Sequence, residues 1–337
     1  MKAFRMYDMS YNVLHPTFRL LQILGAIILI CIAASCGVTP QHTKPPKATT
    51  FPTAMPTAIP TAKSVTWNTA TLVSPGNLSS ISCPTTTFCA AVSNMQTKNV
   101  YTLKDGKWST FSSPTGLESV SCVNSTFCVA VGNVYALIYN GTTWTKPKPD
   151  STSILTAVSC VSRTFCVASE YNGNVEVYNG STWKEEYVAG SSNLSAISCT
   201  STTFCVAVGG NGVVMYNGVS WFPPKAVVAS TQLAAVSCTS SSFCMAVGGT
   251  SAVPFNGTKW LVPAPVGNYG LAAVACSGKT FCIASGGNGD AFTFNGSLWS
   301  DPAPFDSPYE VVSLTCPSVD RCSAVDDVGH VLTTKAW

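Results

Sequence analysis

The sequence predicts an all-β chain, a seven-bladed β-propeller of four-stranded antiparallel blades, and three observations carry that expectation. A segment built around Cys-x5-Cys occurs seven times, its first cysteine at 83, 122, 160, 199, 238, 276 and 316, a period of 38 to 40 residues. All eight tryptophans (67, 108, 144, 183, 221, 260, 299 and 337) fall on the same period. No stretch has the apolar spacing of an amphipathic helix, whereas short alternating and β-branched runs recur throughout. Four short strands every ~40 residues make one blade, and seven blades close a ring.

Before the repeats, residues 1–36 read as an export signal. Lys2, Arg5 and Arg19 precede an apolar run from Leu20 to Ala34 that closes on Ser35-Cys36-Gly37, the basic, apolar and small-residue order of a signal peptide. The run falls short of the about 20 residues of a membrane-spanning helix. Ala33-Ala34-Ser35-Cys36 resembles a bacterial lipoprotein box, which implies cleavage before Cys36 and a lipid on that cysteine; Ala33 stands where such boxes usually carry leucine. An uncleaved anchor and ordinary secretion are the alternatives, and all three put the remaining chain outside the cytoplasm, anchored at the membrane in the first two cases. Residues 37–63, with prolines at 40, 45, 46, 52, 56 and 60 and three Pro-Thr-Ala triplets, can neither pair into sheet nor continue a helix, and read as an extended spacer.

The propeller is assigned to 64–337. Each copy carries an alternating run such as Leu194–Cys199, a β-branched run such as Thr203–Gly209, a third run such as Gly212–Asn217, and a fourth beginning at the tryptophan. Third and fourth are joined by Asn-Gly in five copies and by Asp105-Gly106 in the first, dipeptides that accept the positive φ of a tight hairpin. Only 10% of residues are charged, so Ser, Thr, Asn and Gly must cover the surface. Residues 64–337 carry twelve Lys/Arg against fourteen Asp/Glu, a balance that argues against a nucleic-acid partner.

These copies look like the extracytoplasmic bacterial propeller repeats grouped as BNR, YVTN and photosystem-assembly-factor-like. The Tyr/Phe-Asn-Gly-x-x-Trp turn also resembles the sialidase Asp-box, sharing Gly-x-x-Trp and lacking the aspartate. In either family the box is a folding element, so the resemblance implies a scaffold and no catalysis.

Each Cys-x5-Cys bridges the end of a first strand and the start of a second, which sets the two Cβ atoms at disulfide distance. The expected pairs are Cys83–Cys89, Cys122–Cys128, Cys160–Cys166, Cys199–Cys205, Cys238–Cys244, Cys276–Cys282 and Cys316–Cys322. Zinc is the rival, but it asks for Cys-x2-Cys knuckles or histidine partners, and the repeats hold one histidine, His330. No metal and no cofactor are therefore expected. Each bridge closes a short loop worth roughly 2 kcal/mol at best. The phenylalanine before the second cysteine in six copies (88, 127, 165, 204, 243, 281) is expected to pack between blades; Arg321 replaces it in the seventh.

Catalytic groups are sparse. His330 lacks a Gly-x-Ser-x-Gly elbow, and two arginines, Arg163 and Arg321, are too few for the arginine triad of a sialidase. A glycoside hydrolase with a carboxylate pair in the channel mouth stays open as an alternative, as does a purely structural surface protein. The leading expectation is a monomeric, non-catalytic propeller that binds a protein or an envelope glycan. Turns joining strands one to two and three to four share one rim and repeat monotonously. Turns joining two to three, and blade to blade, share the other rim and vary, as a scaffold presenting a specific surface requires. From that rim come the candidate ligand-binding residues Tyr171, Tyr269, Asp290, Asp306, Tyr309, Glu310, Asp326, Asp327 and His330. Finally, the last copy stops before a clear fourth strand while Val65–Ala70 carries a surplus tryptophan, so the N-terminal segment 64–72 is expected to complete the last blade from outside.

Overall fold

Seven four-stranded antiparallel sheets account for the strands, one per blade. The computed structural model describes residues 65–145, 151, 153–188, 190–210, 212–227, 232–305, 308–319 and 321–334; the signal segment with Cys36, the spacer, Asp306, Asp320 and Trp337 lie outside these. Blade 1 runs Leu78–Ser82, Phe88–Ser93, Asn99–Lys104 and Lys107–Ser112 in simple up-and-down order. Blades 2 to 6 repeat that order at the expected period.

Blade 7 closes the ring by strand exchange. From inside outward it consists of Val311–Ser318, Arg321–Asp326, His330–Thr333 and, from the other end of the chain, Thr71–Leu72. Thr71 faces Val331 and Leu72 faces His330. Trp67 bridges to Thr334, and Asn68 N donates to Thr333 O at 2.7 Å. The exchanged segment thus pairs from Trp67 to Leu72, within the 64–72 expected to complete the last blade, with a break in the ladder at 69–70.

All seven expected disulfides are present, with Cα–Cα separations of 3.9 to 4.1 Å. In five blades the two cysteines face each other directly across the first hairpin.

The core is seven interfaces between neighbouring blades. Phe88 packs with Val120, Leu137 and Tyr139 of the next blade, and Phe127, Phe165, Phe204, Phe243 and Phe281 repeat the arrangement around the ring. The cluster joining blade 7 to blade 1 contains no phenylalanine. Each tryptophan that opens a fourth strand packs toward the preceding blade, Trp144 with blade 1 and Trp221 with blade 3. Trp67 packs with blade 6 residues such as Ile283, the neighbour expected of a blade 7 strand.

Serines do structural work that composition alone assigned to the surface. The first strand of each blade has an edge toward the ring centre, where its N–H groups need acceptors. The hydroxyl of Ser82 accepts from Cys122 N, Ser121 from Cys160 N, Ser159 from Cys199 N, Ser198 from Cys238 N and Ser237 from Cys276 N, all at 2.9 to 3.0 Å. Blades 1 to 6 are thus laced each to the next by the serine before the first cysteine of blades 1 to 5.

The hairpins between third and fourth strands are of two kinds. Asp105 and Gly106 both take positive φ, 51° and 77°, the two-residue turn that suits strand twist. In blades 2 to 6 only the glycine is left-handed, and the asparagine instead caps the turn: Asn140 Oδ1 accepts from Thr142 N and Thr143 N, both at 3.0 Å.

Candidate functional site

The variable rim gathers the exposed tyrosines. Tyr171, Tyr187, Tyr269 and Tyr309 are all solvent-facing, and each lies in a connection between second and third strands or between blades. Tyr187, at 77% the most exposed of the four, was missed by the sequence reading because nothing in the repeat marks the residue after a short fourth strand.

Two groups of candidate residues lie on successive connections, one where blades 5 and 6 adjoin and one where blades 6 and 7 adjoin. The first surrounds a cleft of about 230 Å3 lined by Pro265, Gly267, Tyr269, Asp290, Phe292 and Pro302. Gly267 is required there, since a Cβ would come within 2.7 Å of the Phe292 ring. Asp290 opens the third strand Asp290–Phe294 and accepts from Asn288 Nδ2 across the preceding turn, which fixes its carboxylate at the cleft mouth.

The second group is built on the turn from Asp326 to His330. Asp326 is fully buried; its Oδ1 accepts from Val328 N at 3.2 Å and His330 N at 2.8 Å, and its Oδ2 lies 2.7 Å from His330 Nδ1. This orients the imidazole, against which the Tyr309 ring stacks at 5.7 Å and 17° between planes. Gly329 takes φ of +105° with no room for a side chain, a Cβ falling 2.2 Å from Ser74 O, so the exchanged N-terminal segment clamps the turn from the other side.

The groups are continuous. Gly287 N donates to Gly270 O, the Glu310 carboxylate lies over Gly287, and Asp327 N donates to Glu310 O. An arc therefore runs Tyr269, Asp290, Glu310, Asp327, Tyr309 and His330. The Glu310 carboxylate is exposed, those of Asp290 and Asp327 are partly so, with Oδ1 of Asp327 buried, and the two phenol rings face solvent. Tyr171 stands apart on blade 3, where Asn193 N donates to its carbonyl, and Asp306 falls outside the described residues. Among the described residues no group of acidic, histidine or cysteine side chains could hold a metal ion. Desolvation by the rim packed beside it raises the pKa of Glu118, at the start of the first strand of blade 2, another rim residue the repeat pattern did not single out.

No protein-family model matches the chain, and no curated protein matches it. Solved structures do. YCF48 bound to a D1 peptide is similar with a TM-score of 0.68 and 15% identity, over 83% of this chain and 100% of that one. YCF48 from Cyanidioschyzon merolae gives 0.64 and 16%, over 80% and 98%. The WD40 β-propeller domain of Doa1 gives 0.66 and 9%, over 80% and 97%. At these identities the likeness is one of fold.

Proposed function

We propose that this chain is a non-catalytic propeller, held outside the cytoplasm by a lipid on Cys36 or by its uncleaved apolar run, that binds an extended protein segment across the rim of blades 6 and 7. The observation that carries the reading is the confinement of exposed tyrosines to the variable rim, two of them flanking Asp290, Glu310 and Asp327. Tyrosine supplies contact area with few rotors to immobilise, and it is enriched in binding surfaces. The carboxylates between the rings favour a segment that bears lysine or arginine. Seven disulfides suit an oxidising compartment, and one similar solved propeller holds a peptide. The hydrolase alternative draws less support, because Asp326 is buried against His330 and Asp290 is engaged by Asn288.

The test is a positional-scanning library of extended peptides, with and without basic residues, against the full-length chain and its Tyr309→Ala and Glu310→Gln variants. Basic peptides should bind, each substitution should weaken binding about tenfold, and added salt should weaken it further. Equal binding by the variants, or preference for acidic peptides, refutes the reading.

A further inference from the structure

The junction of blade 7 with blade 1 departs from its six siblings in a concerted way. At the junctions from blade 1 to blade 6 a phenylalanine from one blade packs in the same cluster as a tyrosine or phenylalanine of the next, as Phe88 meets Tyr139 at 5.7 Å and Phe204 meets Phe255 at 6.3 Å. At this one the phenylalanine is Arg321 and its opposite number is Leu103. The smaller contact leaves a cavity of about 320 Å3 lined by Arg321, Trp108, Leu103, Thr85, Thr86 and Asn68, within the size range of small-ligand sites, about 300–1,000 Å3.

Its chemistry is mixed in an ordered way. Trp108 and Leu103, beside the Cys83–Cys89 bridge, supply an apolar lining, while Thr85, Thr86 and Asn68, whose amide donates to Thr333 Oγ1, supply a polar one. Arg321 stands at the mouth, exposed, and no hydrogen bond or ion pair joins its guanidinium to another described residue. A ligand that satisfies all three needs a carboxylate for the arginine fork, a flat ring face for the indole and several hydroxyls for the rim.

We propose that this cavity binds a hexuronic acid residue, free or within an acidic polysaccharide. It stands on the monotonous rim, across the ring from the tyrosine arc, and is independent of it. Two residue differences from the repeat open the volume, Arg321 and Leu103, and the first of them also supplies the charge.

Isothermal titration of the full-length chain with glucuronate, with a short oligoglucuronide and with glucose tests it. Glucuronate and glucose differ by one carboxylate, so binding of glucuronate with glucose weaker by at least about tenfold is expected. Stronger binding of the oligomer identifies a polysaccharide as the source, and equal binding per residue identifies the free sugar acid. Arg321→Gln should weaken glucuronate at least about tenfold, and Arg321→Phe, which restores the sibling residue and fills the cavity, should abolish binding while keeping or raising the melting temperature. Equal affinity for glucose and glucuronate, full binding by folded Arg321→Phe, or binding that emerges only when residues 335–337 are removed overturns the proposal.

Discussion

Opposite exchanges of threonine and valine at two equivalent positions should move stability in opposite directions. Thr102 of blade 1 is buried, and its Oγ1 accepts the indole N–H of Trp144 from blade 2 at 3.0 Å. In the ladder Thr102 faces Ala90, and the matching residue of blade 3 is Val177, which faces Val167. Val177 packs with Trp221 of blade 4, whose indole N–H is buried without an acceptor. Replacing Thr102 by valine keeps the shape, strands a buried donor and should cost about 1–3 kcal/mol; replacing Val177 by threonine supplies the missing acceptor and should add about 0.5–1.5 kcal/mol. Each kilocalorie should shift the melt by roughly 2–4 °C in a body of this size. Urea unfolding of the oxidised protein, followed by tryptophan fluorescence and far-ultraviolet dichroism, reads both changes as midpoint shifts at constant slope. Two shifts of the same sign, or no loss on Thr102→Val, would refute the pairing of each indole with the preceding blade.

Two further outcomes follow from the closure and the rim. Asn68→Pro removes the Asn68 N to Thr333 O bond and the side-chain bonds to Thr333 and Thr334, so it should lower stability by about 2–3 kcal/mol; hydrogen exchange should then quicken first in 321–334, and uniform protection loss would count against the exchanged strand. Glu118 is solvent-exposed, but the rim packed beside it desolvates its carboxylate enough to raise its folded-state pKa above the ordinary value, so the effect on stability is small. The folded state therefore holds the proton more tightly than the unfolded chain, and the penalty is present at neutral pH and relieved as pH falls through the folded pKa. Glu118→Gln should be the more stable form at pH 7, with the difference narrowing toward pH 4; a difference that widens on acidification has the wrong sign.

Blade number, disulfide pairing and closure were legible because each repeats or is conspicuous by its surplus: seven cysteine pairs set the blades, and eight tryptophans against seven pairs pointed to a strand from elsewhere. The serine lacing was present in the same copies, as the residue before the first cysteine in five of them, but its meaning needs the neighbouring blade, 39 or 40 residues away. The indole partner of Trp144 likewise lies 42 residues back. Of the candidate site residues, most of the set from 269 to 330 converge, while Tyr171 does not. Rim neighbours are set by loop conformation, which carries no periodic signal, and Tyr187 and Glu118 were passed over for that reason.

That the tyrosine arc and the arginine-lined cavity both adjoin blade 7 has a physical basis in how the ring closes. In blades 2 to 6 the third strand must turn through Asn-Gly and deliver its tryptophan onto the aromatic residue five positions earlier, at 5.1 to 5.3 Å between rings. That contact holds the outer strand, and it fixes the residue types on both sides of the turn. In blade 7 the outer strand arrives from residues 67–72 and brings its own tryptophan, which packs on Phe305 at 4.6 Å. Thr334, in the place of the aromatic, answers to Cys322 through its hydroxyl and backbone. Once the hairpin is dispensed with, the residues it would have dictated are free to carry other chemistry. A charge at 321 and a buried Asp326–His330 pair are compatible with closure here, whereas at any other junction an arginine in place of the phenylalanine would open the core between two blades that no exchanged strand ties together.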